Sequence, residues 1–155
     1  DSARETEDAE ALVIDDEGDF SIISENETSL SSLDTSSIAQ IISFGPALIE
    51  DGEISVDASS EVSQSMTSNP RTAIGQISPL HYIIIVSDGR TDESEGFSLL
   101  QLAEEMQNRG AVTAYNLDGG GSSTLYFNGE IINNPTSGNS TGEREVSDIV
   151  YIGYE

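Results

Sequence analysis

The apolar residues of this chain come in short runs, and turn-forming residues separate one run from the next. The longest run covers only residues 82–86, which is too short to span a bilayer. Such runs predict the strands of a globular, β-rich protein rather than a disordered chain. The predicted strands cover residues 12–14, 20–23, 41–44, 47–49, 54–56, 82–86, 112–117, 124–127, 130–132 and 146–151.

Three of the intervals between these runs have the composition of hairpin turns. Residues 15–19 combine four acidic residues with a glycine, while Asp51-Gly52 and Asn128-Gly129 are pairs that favour a type I′ turn. The run at 82–86 shows no alternation with polar residues, which is typical of a strand buried on both faces.

One segment has the periodicity of an amphipathic helix. Its apolar residues recur at i, i+3, i+4 and i+7, so they form one stripe. Ser98, with Gln101 three residues later, predicts a capping box, and Gly110 predicts the C-terminal stop. The stripe consists of Leu99, Leu102, Ala103 and Met106.

These elements predict an α+β fold with mixed, largely antiparallel sheets and one principal helix at about residues 97–109. Residues 1–10 are acidic and aperiodic, so we interpret them as a tail. Residues 58–68 are rich in serine and predict a loop. We find no repeat or linker in residues 11–155 and expect them to belong to a single domain.

The charge and the absence of cysteine exclude several kinds of site. Five arginines, no lysines and 29 acidic residues give a net charge of −24, which opposes binding to nucleic acid or to an anionic membrane. Without cysteine there are no disulfides or thiolate metal sites, and no His or Asp spacing matches a zinc or EF-hand site. We therefore assign no metal ligand and no cofactor, and only a calcium ion at a surface cluster of carboxylates stays open.

Residues 116–124 form the most unusual stretch of the sequence. The run Gly119-Gly120-Gly121 follows one predicted strand and precedes another, which excludes a P-loop or a dinucleotide fingerprint because both require a following helix. One interpretation is a tight turn. The other is a backbone nest that offers amides to an anion, with Asp118 and three hydroxyl groups at its rim. Those hydroxyl groups belong to Ser122, Ser123 and Thr124.

Three of the five arginines, Arg71, Arg90 and Arg144, fall in predicted loops at strand ends, near glycine or proline. A guanidinium group can bind a phosphate through two parallel hydrogen bonds. In so acidic a chain, the spacing alone favours an ion pair of each arginine with a nearby carboxylate over a phosphate clamp. The sequence leaves both interpretations open.

Taken in order, several motifs resemble the phosphodiester glycosidase family, from about residue 12 to residue 151. The family's domain carries a further Asn-Gly-Gly-aromatic motif in a preceding segment, which has no counterpart here. We therefore expect an incomplete domain, completed by a second polypeptide or by a cleaved N-terminal segment. The motifs are Ser43-Phe44-Gly45-Pro46, Asp51-Gly52, residues 69–75, Asp88-Gly89-Arg90, Leu102-Ala103-Glu104, residues 116–124 and Arg144-Glu145-Val146-Ser147.

The resemblance implies hydrolysis of sugar-1-phosphodiester bonds of the alpha-N-acetylglucosamine type, in envelope or exopolysaccharide metabolism. It also implies a secreted protein, located outside the cell or in the cell envelope. It implies Asp118 as the catalytic carboxylate, with Asp88 second, and Arg71 and Arg144 on the phosphate. Two alternatives remain: a non-catalytic sugar-phosphate or polysaccharide binding module, and a structural envelope domain. The substrate-binding residues would be Asn69, Arg144, Gly119, Gly120, Gly121, Ser122, Ser123 and Thr124.

Overall fold

The computed structural model describes residues 9–29, 31–56, 67–138 and 140–153, so most of the predicted loop at 58–68 lies outside the described residues. The sheets and the helix confirm the α+β fold. The strands are β1 (Glu10–Asp15), β2 (Phe20–Ser24), β3 (Ile38–Ser43), β4 (Ala47–Glu50), β5 (Glu53–Ile54), β6 (Arg71–Ser78), β7 (His81–Ser87), β8 (Thr113–Leu117), β9 (Tyr126–Phe127), β10 (Glu130–Ile131), β11 (Thr136–Ser137) and β12 (Ser140–Thr141), and the helix is α1 (Leu99–Asn108).

Two sheets hold the core. A three-stranded sheet has the order β2-β1-β3, and a five-stranded sheet has the order β5-β4-β8-β6-β7. Every strand pairing in the described ranges is antiparallel. Two further hairpins, β9-β10 and β11-β12, stand outside these sheets.

The five-stranded sheet lies between α1 and the three-stranded sheet. Since side chains alternate between the faces of a sheet, neighbouring residues of β6 and β8 enter different clusters. Ala73 and Ala114 pack with the buried stripe of α1, whereas Ile74 and Tyr115 pack against the smaller sheet. This arrangement makes β6 and β8 the central strands of the molecule.

The helix has the boundaries that its sequence predicts. The Ser98 side chain accepts a hydrogen bond from the Gln101 amide, and the Gln101 side chain accepts one from the Ser98 amide, which confirms the capping box. Beyond the end of the helix, Gly110 has a φ of +85°, a conformation that glycine adopts without strain. The four residues of the predicted stripe are all buried. In the described ranges, no helix combines the length and the apolar character of a membrane span.

The predicted hairpins are also confirmed. Asp51 and Gly52 both have positive φ angles, 50° and 81°, between β4 and β5. Asn128 and Gly129 have φ angles of 50° and 93° between β9 and β10. Positive φ at both central residues is the signature of the type I′ turn.

Three predictions about the strands are wrong. The strand at 82–86 exists as part of β7, but β7 is the edge of its sheet and is only partly buried. Arg71 does not lie in a loop, because it begins β6, a strand that is missing from the sequence-based prediction. Residues 146–151 form no strand, because no neighbouring strand pairs with them in the described part of the chain.

Candidate functional site

Three loops meet around Asn69 and Pro70, at the start of β6. A Cβ atom added to Gly89 would lie 2.6 Å from the Pro70 nitrogen, and one added to Gly96 would lie 2.2 Å from the Asn69 carbonyl oxygen. A Cβ on Gly119 would lie 2.7 Å from the Pro70 carbonyl oxygen. Only glycine leaves room for such close backbone contacts, so these three positions bring the loops together.

The glycine-rich loop after β8 forms a single 3₁₀ turn, Gly120–Ser122. The Gly120 amide donates to the Pro70 carbonyl over 2.8 Å, and the Ser122 amide donates to the Gly119 carbonyl over 3.1 Å. The Gly119 amide helps to lower the pKa of the Asp118 carboxylate. The Gly120 amide already has a partner, so it is not an open donor for an anion. Gly119 and Gly120 instead allow close packing.

Asp118, Ser122 and Arg144 form one connected cluster. The Ser122 hydroxyl donates to Asp118 Oδ2 over 2.7 Å and accepts from Arg144 Nε over 3.1 Å and from Nη2 over 2.5 Å. Arg144 Nη2 also forms an ion pair with Asp118 Oδ2. The Arg144 amide donates to the Gly121 carbonyl over 2.9 Å, which attaches the C-terminal segment to the loop.

The cluster holds Asp118 in its ionised form. Burial raises the pKa of Asp118, but hydrogen bonds from Ser122 and Arg144, the charge of Arg144 and the Gly119 amide together outweigh it. The net result is a pKa below the ordinary value of 3.8. The Asp118 side chain is still 48% exposed, so it remains accessible from solvent. An accessible, ionised carboxylate can act as a base, a nucleophile or an electrostatic partner of a cation.

Arg90 approaches the same loop from another direction. Its Nε and Nη2 atoms donate to Asn69 Oδ1 over 3.2 and 2.9 Å. A Cβ on Gly120 would lie 3.4 Å from both Nη1 and Nη2 of Arg90, so the guanidinium packs against the Gly120 backbone. The Asn69 side chain donates from Nδ2 to the carbonyl and hydroxyl oxygens of Thr67, each over 3.0 Å.

Arg71 is placed at the site by its backbone, since a Cβ on Gly119 would lie 3.6 Å from the Arg71 Cα. Its half-buried guanidinium donates from Nε to the Phe97 carbonyl over 3.0 Å and from Nη2 to the Thr67 carbonyl over 3.2 Å. These contacts fix the side chain between the start of β6 and the segment that precedes α1.

Asp88 links two loops. Its Oδ1 atom accepts from Asn133 Nδ2 over 2.9 Å and from the Asn134 amide over 2.8 Å. Asn133 also donates to the Ser123 carbonyl and accepts from the Leu125 amide, each over 2.8 Å. This network gives Asp88 a role in holding the loop that follows the glycines.

The comparisons with known proteins identify the family. A model of the phosphodiester glycosidase family matches residues 2–153. The chain belongs to this family. It is similar to the SPbeta prophage-derived uncharacterized protein YomE of Bacillus subtilis (strain 168), with 32% identity over 146 residues. It is also similar to human N-acetylglucosamine-1-phosphodiester alpha-N-acetylglucosaminidase, with 39% identity over 66 residues.

This phosphodiester glycosidase chain spans only part of each relative. The matches cover 94% of the chain and 22% of the Bacillus protein, and 43% of the chain and 13% of the human enzyme. The zebrafish catalytic domain of the same enzyme, auto-inhibited by its pro-peptide, superposes with a TM-score of 0.65 and 25% identity. That match covers 90% of the chain and 48% of the zebrafish chain. A candidate exported protein from Burkholderia pseudomallei K96243 shares the fold, with a TM-score of 0.51 and 20% identity.

The structure separates the predicted site residues of this family member into two groups. Asp118, Ser122 and Arg144 contact one another directly, and the backbones of Arg71 and Gly119 are adjacent. Ser123 is fully buried and accepts from the Thr72 hydroxyl over 3.2 Å, which makes it a support of the loop. The Thr124 amide donates to the Ser122 carbonyl, whereas Asn69 and Asp88 contact Arg90 and Asn133 rather than the cluster. In the described ranges, carboxylates and imidazoles do not gather into a metal-binding group.

Two residues of the site were not assigned from the sequence. Arg90 falls in a predicted loop, but the sequence assigns it no role in the site. Asn133 carries no recognisable sequence signal, although it directly follows a predicted hairpin strand. Its three polar contacts reach residues 8 to 45 positions away, so no local pattern identifies it.

Proposed function

We propose that the chain takes part in hydrolysis of a sugar-1-phosphodiester of the alpha-N-acetylglucosamine type, which releases free sugar and a phosphomonoester. The observation that carries the proposal is the cluster of Asp118, Ser122 and Arg144 on the glycine-rich loop. Membership of the phosphodiester glycosidase family and the substrate named for the human relative support it.

The chemistry fits the groups that the loop offers. A phosphate leaving group is weakly basic, so it needs less help from a general acid than an ordinary glycoside does. The larger requirements are cations for the phosphate and an anion for the oxocarbenium-like centre. Four arginines lie in the described ranges, and three of them adjoin the loop, whereas Arg109 pairs with Glu105 on α1.

We assign Arg71 and Arg144 to the phosphate and Asp118 to the reacting centre, with Asp88 as the second candidate carboxylate. Because its pKa is lowered, Asp118 serves as base, nucleophile or electrostatic partner rather than as the acid. The remaining assigned residues form the wall of the site or support it. They are Asn69, Gly119, Gly120, Gly121, Ser122, Ser123 and Thr124.

With Asp118 as the base, water adds to the anomeric carbon and the bond from that carbon to the bridging oxygen breaks. The electron pair of the broken bond remains on the phosphate, and the proton of the water passes to Asp118 and then to solvent. Arg144 already contacts Asp118, so it can bind the phosphate next to that carboxylate. A second polypeptide, or a segment outside this chain, would supply the sugar side of the site. We place the activity outside the cell, where a net charge of −24 favours solubility.

The test is a product assay with a defined substrate. The chain, together with the rest of its natural protein, is incubated with an alpha-N-acetylglucosamine-1-phosphodiester, and reducing sugar and phosphomonoester are measured together. We expect equal amounts of both products, and a loss of at least about a hundredfold in kcat for Asp118→Asn and for Arg71→Ala. The matched control is Glu105→Gln, which removes the carboxylate of the ion pair on α1. If both Asp118→Asn and Arg71→Ala keep the wild-type rate, the assignment is refuted.

The second candidate function is a sugar-phosphate binding module without turnover. The observation in its favour is the set of cations beside the glycine-rich loop, which would bind a phosphate whether or not the sugar bond is cleaved. Calorimetric titration with the same phosphodiester distinguishes the two functions. Binding without products, in wild type and in Asp118→Asn alike, would support the module.

A further inference from the structure

Arg90 is held in a fixed position by a neutral partner. Two of its nitrogens donate to the single oxygen Asn69 Oδ1, and its backbone has a φ of +60°, which is uncommon for a residue other than glycine. The Gly89 carbonyl beside it accepts from the buried Thr136 hydroxyl over 2.9 Å, and the Thr91 amide donates to the Ser94 carbonyl over 3.0 Å. The turn that carries Arg90 is thus fixed on both sides.

Arg90 and Arg144 flank the same two residues of the glycine-rich loop. The guanidinium of Arg90 packs against Gly120, and a Cβ on Gly121 would lie 2.9 Å from the Arg144 Cβ. Consecutive Cα atoms are about 3.8 Å apart, so the two arginines approach neighbouring points of one backbone.

The charges of these two arginines are balanced differently. Arg144 forms an ion pair with Asp118, whereas no carboxylate of the described residues lies within ion-pair distance of Arg90. Of the five N–H donors of an arginine, the contacts with Asn69 use one on Nε and one on Nη2. Within the described part of the chain, Nη1 has no acceptor. In a protein with a charge of −24, such a cation attracts an anion locally.

We infer that Arg90 binds a non-bridging oxygen of the substrate phosphate and that Asn69 is the positioning residue that orients it. The inference rests on the proposed function, since it names a further residue of the same site. It gives Gly120 a specific role, because a side chain there would contact the guanidinium and would adopt a φ of +59°. It also gives Asn69 a role through Arg90 rather than through a direct contact with the substrate.

The test measures anion binding separately from turnover. Inorganic phosphate is titrated calorimetrically into wild type, Arg90→Asn, Arg90→Lys and the control Arg109→Asn. Asparagine tolerates the left-handed backbone at position 90 but lacks the charge. Because a charged hydrogen bond contributes about 1.5–3 kcal/mol, we expect Arg90→Asn to weaken phosphate binding at least about tenfold. Arg90→Lys should lie between that variant and wild type, and Arg109→Asn should equal wild type.

Asn69 is tested by a double-mutant cycle. Asn69→Ala should weaken phosphate binding less than Arg90→Asn does, and the double variant should bind no more weakly than Arg90→Asn alone, because Asn69 acts through Arg90. A purely structural Asn69 would give losses that add. Thermal unfolding of each variant confirms that the fold is kept.

The outcomes separate the inference from the proposed function. If phosphate binds and Arg90→Asn abolishes binding while no phosphodiester is cleaved, the site assignment stands and the proposed hydrolysis fails. If hydrolysis occurs but Arg90→Asn keeps the wild-type phosphate affinity and KM, the inference is overturned and the function stands. A wild-type protein that does not bind phosphate also overturns the inference.

Discussion

Replacing Gly119 by alanine tests whether close packing of the loops builds the site. The new Cβ would lie 2.7 Å from the Pro70 carbonyl oxygen, and that oxygen accepts the 2.8 Å hydrogen bond from the Gly120 amide. The backbone at Gly119 has a φ of −117°, so alanine adds no dihedral strain. The whole effect must therefore come from pushing the glycine-rich loop away from β6.

The expected magnitude follows from these contacts. Overpacking of a close contact costs about 1–3 kcal/mol, and a weakened backbone hydrogen bond adds about 1 kcal/mol. We expect Gly119→Ala to lower the free energy of unfolding by about 2–4 kcal/mol in urea titrations, with an unchanged m value. Turnover should fall at least about tenfold, because Asp118 precedes the displaced residue.

Gly129→Ala is the matched control. No atom lies within 4 Å of its added Cβ, but its φ of +93° makes alanine strained. We expect a cost of roughly 1–2 kcal/mol from the backbone alone, with full turnover. Equal stability and equal turnover for Gly119→Ala and wild type would refute the packing argument.

Three further predictions concern charge and polar contacts. In a carboxyl-carbon NMR titration, Asp118 should titrate below 3.8, and Arg144→Gln should raise the midpoint of that titration. The stability that ionised Asp118 adds is present above its unfolded-state pKa and is lost as pH falls through its lowered folded-state pKa. Burial, together with the charges of Glu10 and Asp51, raises the pKa of Glu50 above 4.5. The free energy of unfolding therefore falls as pH rises from the unfolded-state pKa of Glu50 to its raised folded-state pKa. Glu50→Gln should be more stable than wild type at neutral pH but not at a pH below 4.5. Asn133→Ala should lower the free energy of unfolding by about 1–3 kcal/mol, because it leaves its partners unpaired, and a urea titration that shows no change would contradict the network.

The parts of the fold that depend on residues close together in the sequence were predictable. The capping box joins Ser98 to a residue three positions away, and the turn at Asp51-Gly52 depends on the φ preference of those two residues. These signals lie within a few residues, so one sequence is enough to reveal them.

The central strand β6 was not predictable in the same way. Gly75 interrupts its apolar pattern, but a Cβ there would lie 3.0 Å from the Thr113 carbonyl of the neighbouring strand. Gln76 is buried, and its side chain bonds to the Phe20 amide and to Asp19, more than 50 residues earlier. Both residues are explained by partners that are distant in sequence.

The sequence predicted which residues belong to the site better than it predicted the contacts that those residues make. The sequence left an ion pair and a phosphate clamp open for Arg144, and the structure shows an ion pair with Asp118, the assigned carboxylate. The glycines were interpreted as a turn or as a nest. Their packing against Pro70 and Arg90 depends on loops that only the fold brings together.

The most direct measurement of the central claim is the position of bond cleavage in water enriched in oxygen-18. The complete protein is incubated with an alpha-N-acetylglucosamine-1-phosphodiester, and both products are analysed by mass spectrometry before the free sugar exchanges its anomeric oxygen. Attack at the anomeric carbon should place the heavy oxygen in the sugar and leave the phosphomonoester unlabelled. Label in the phosphomonoester would show attack at phosphorus, and it would contradict the assignment of a glycosidase site to the loop that carries Asp118.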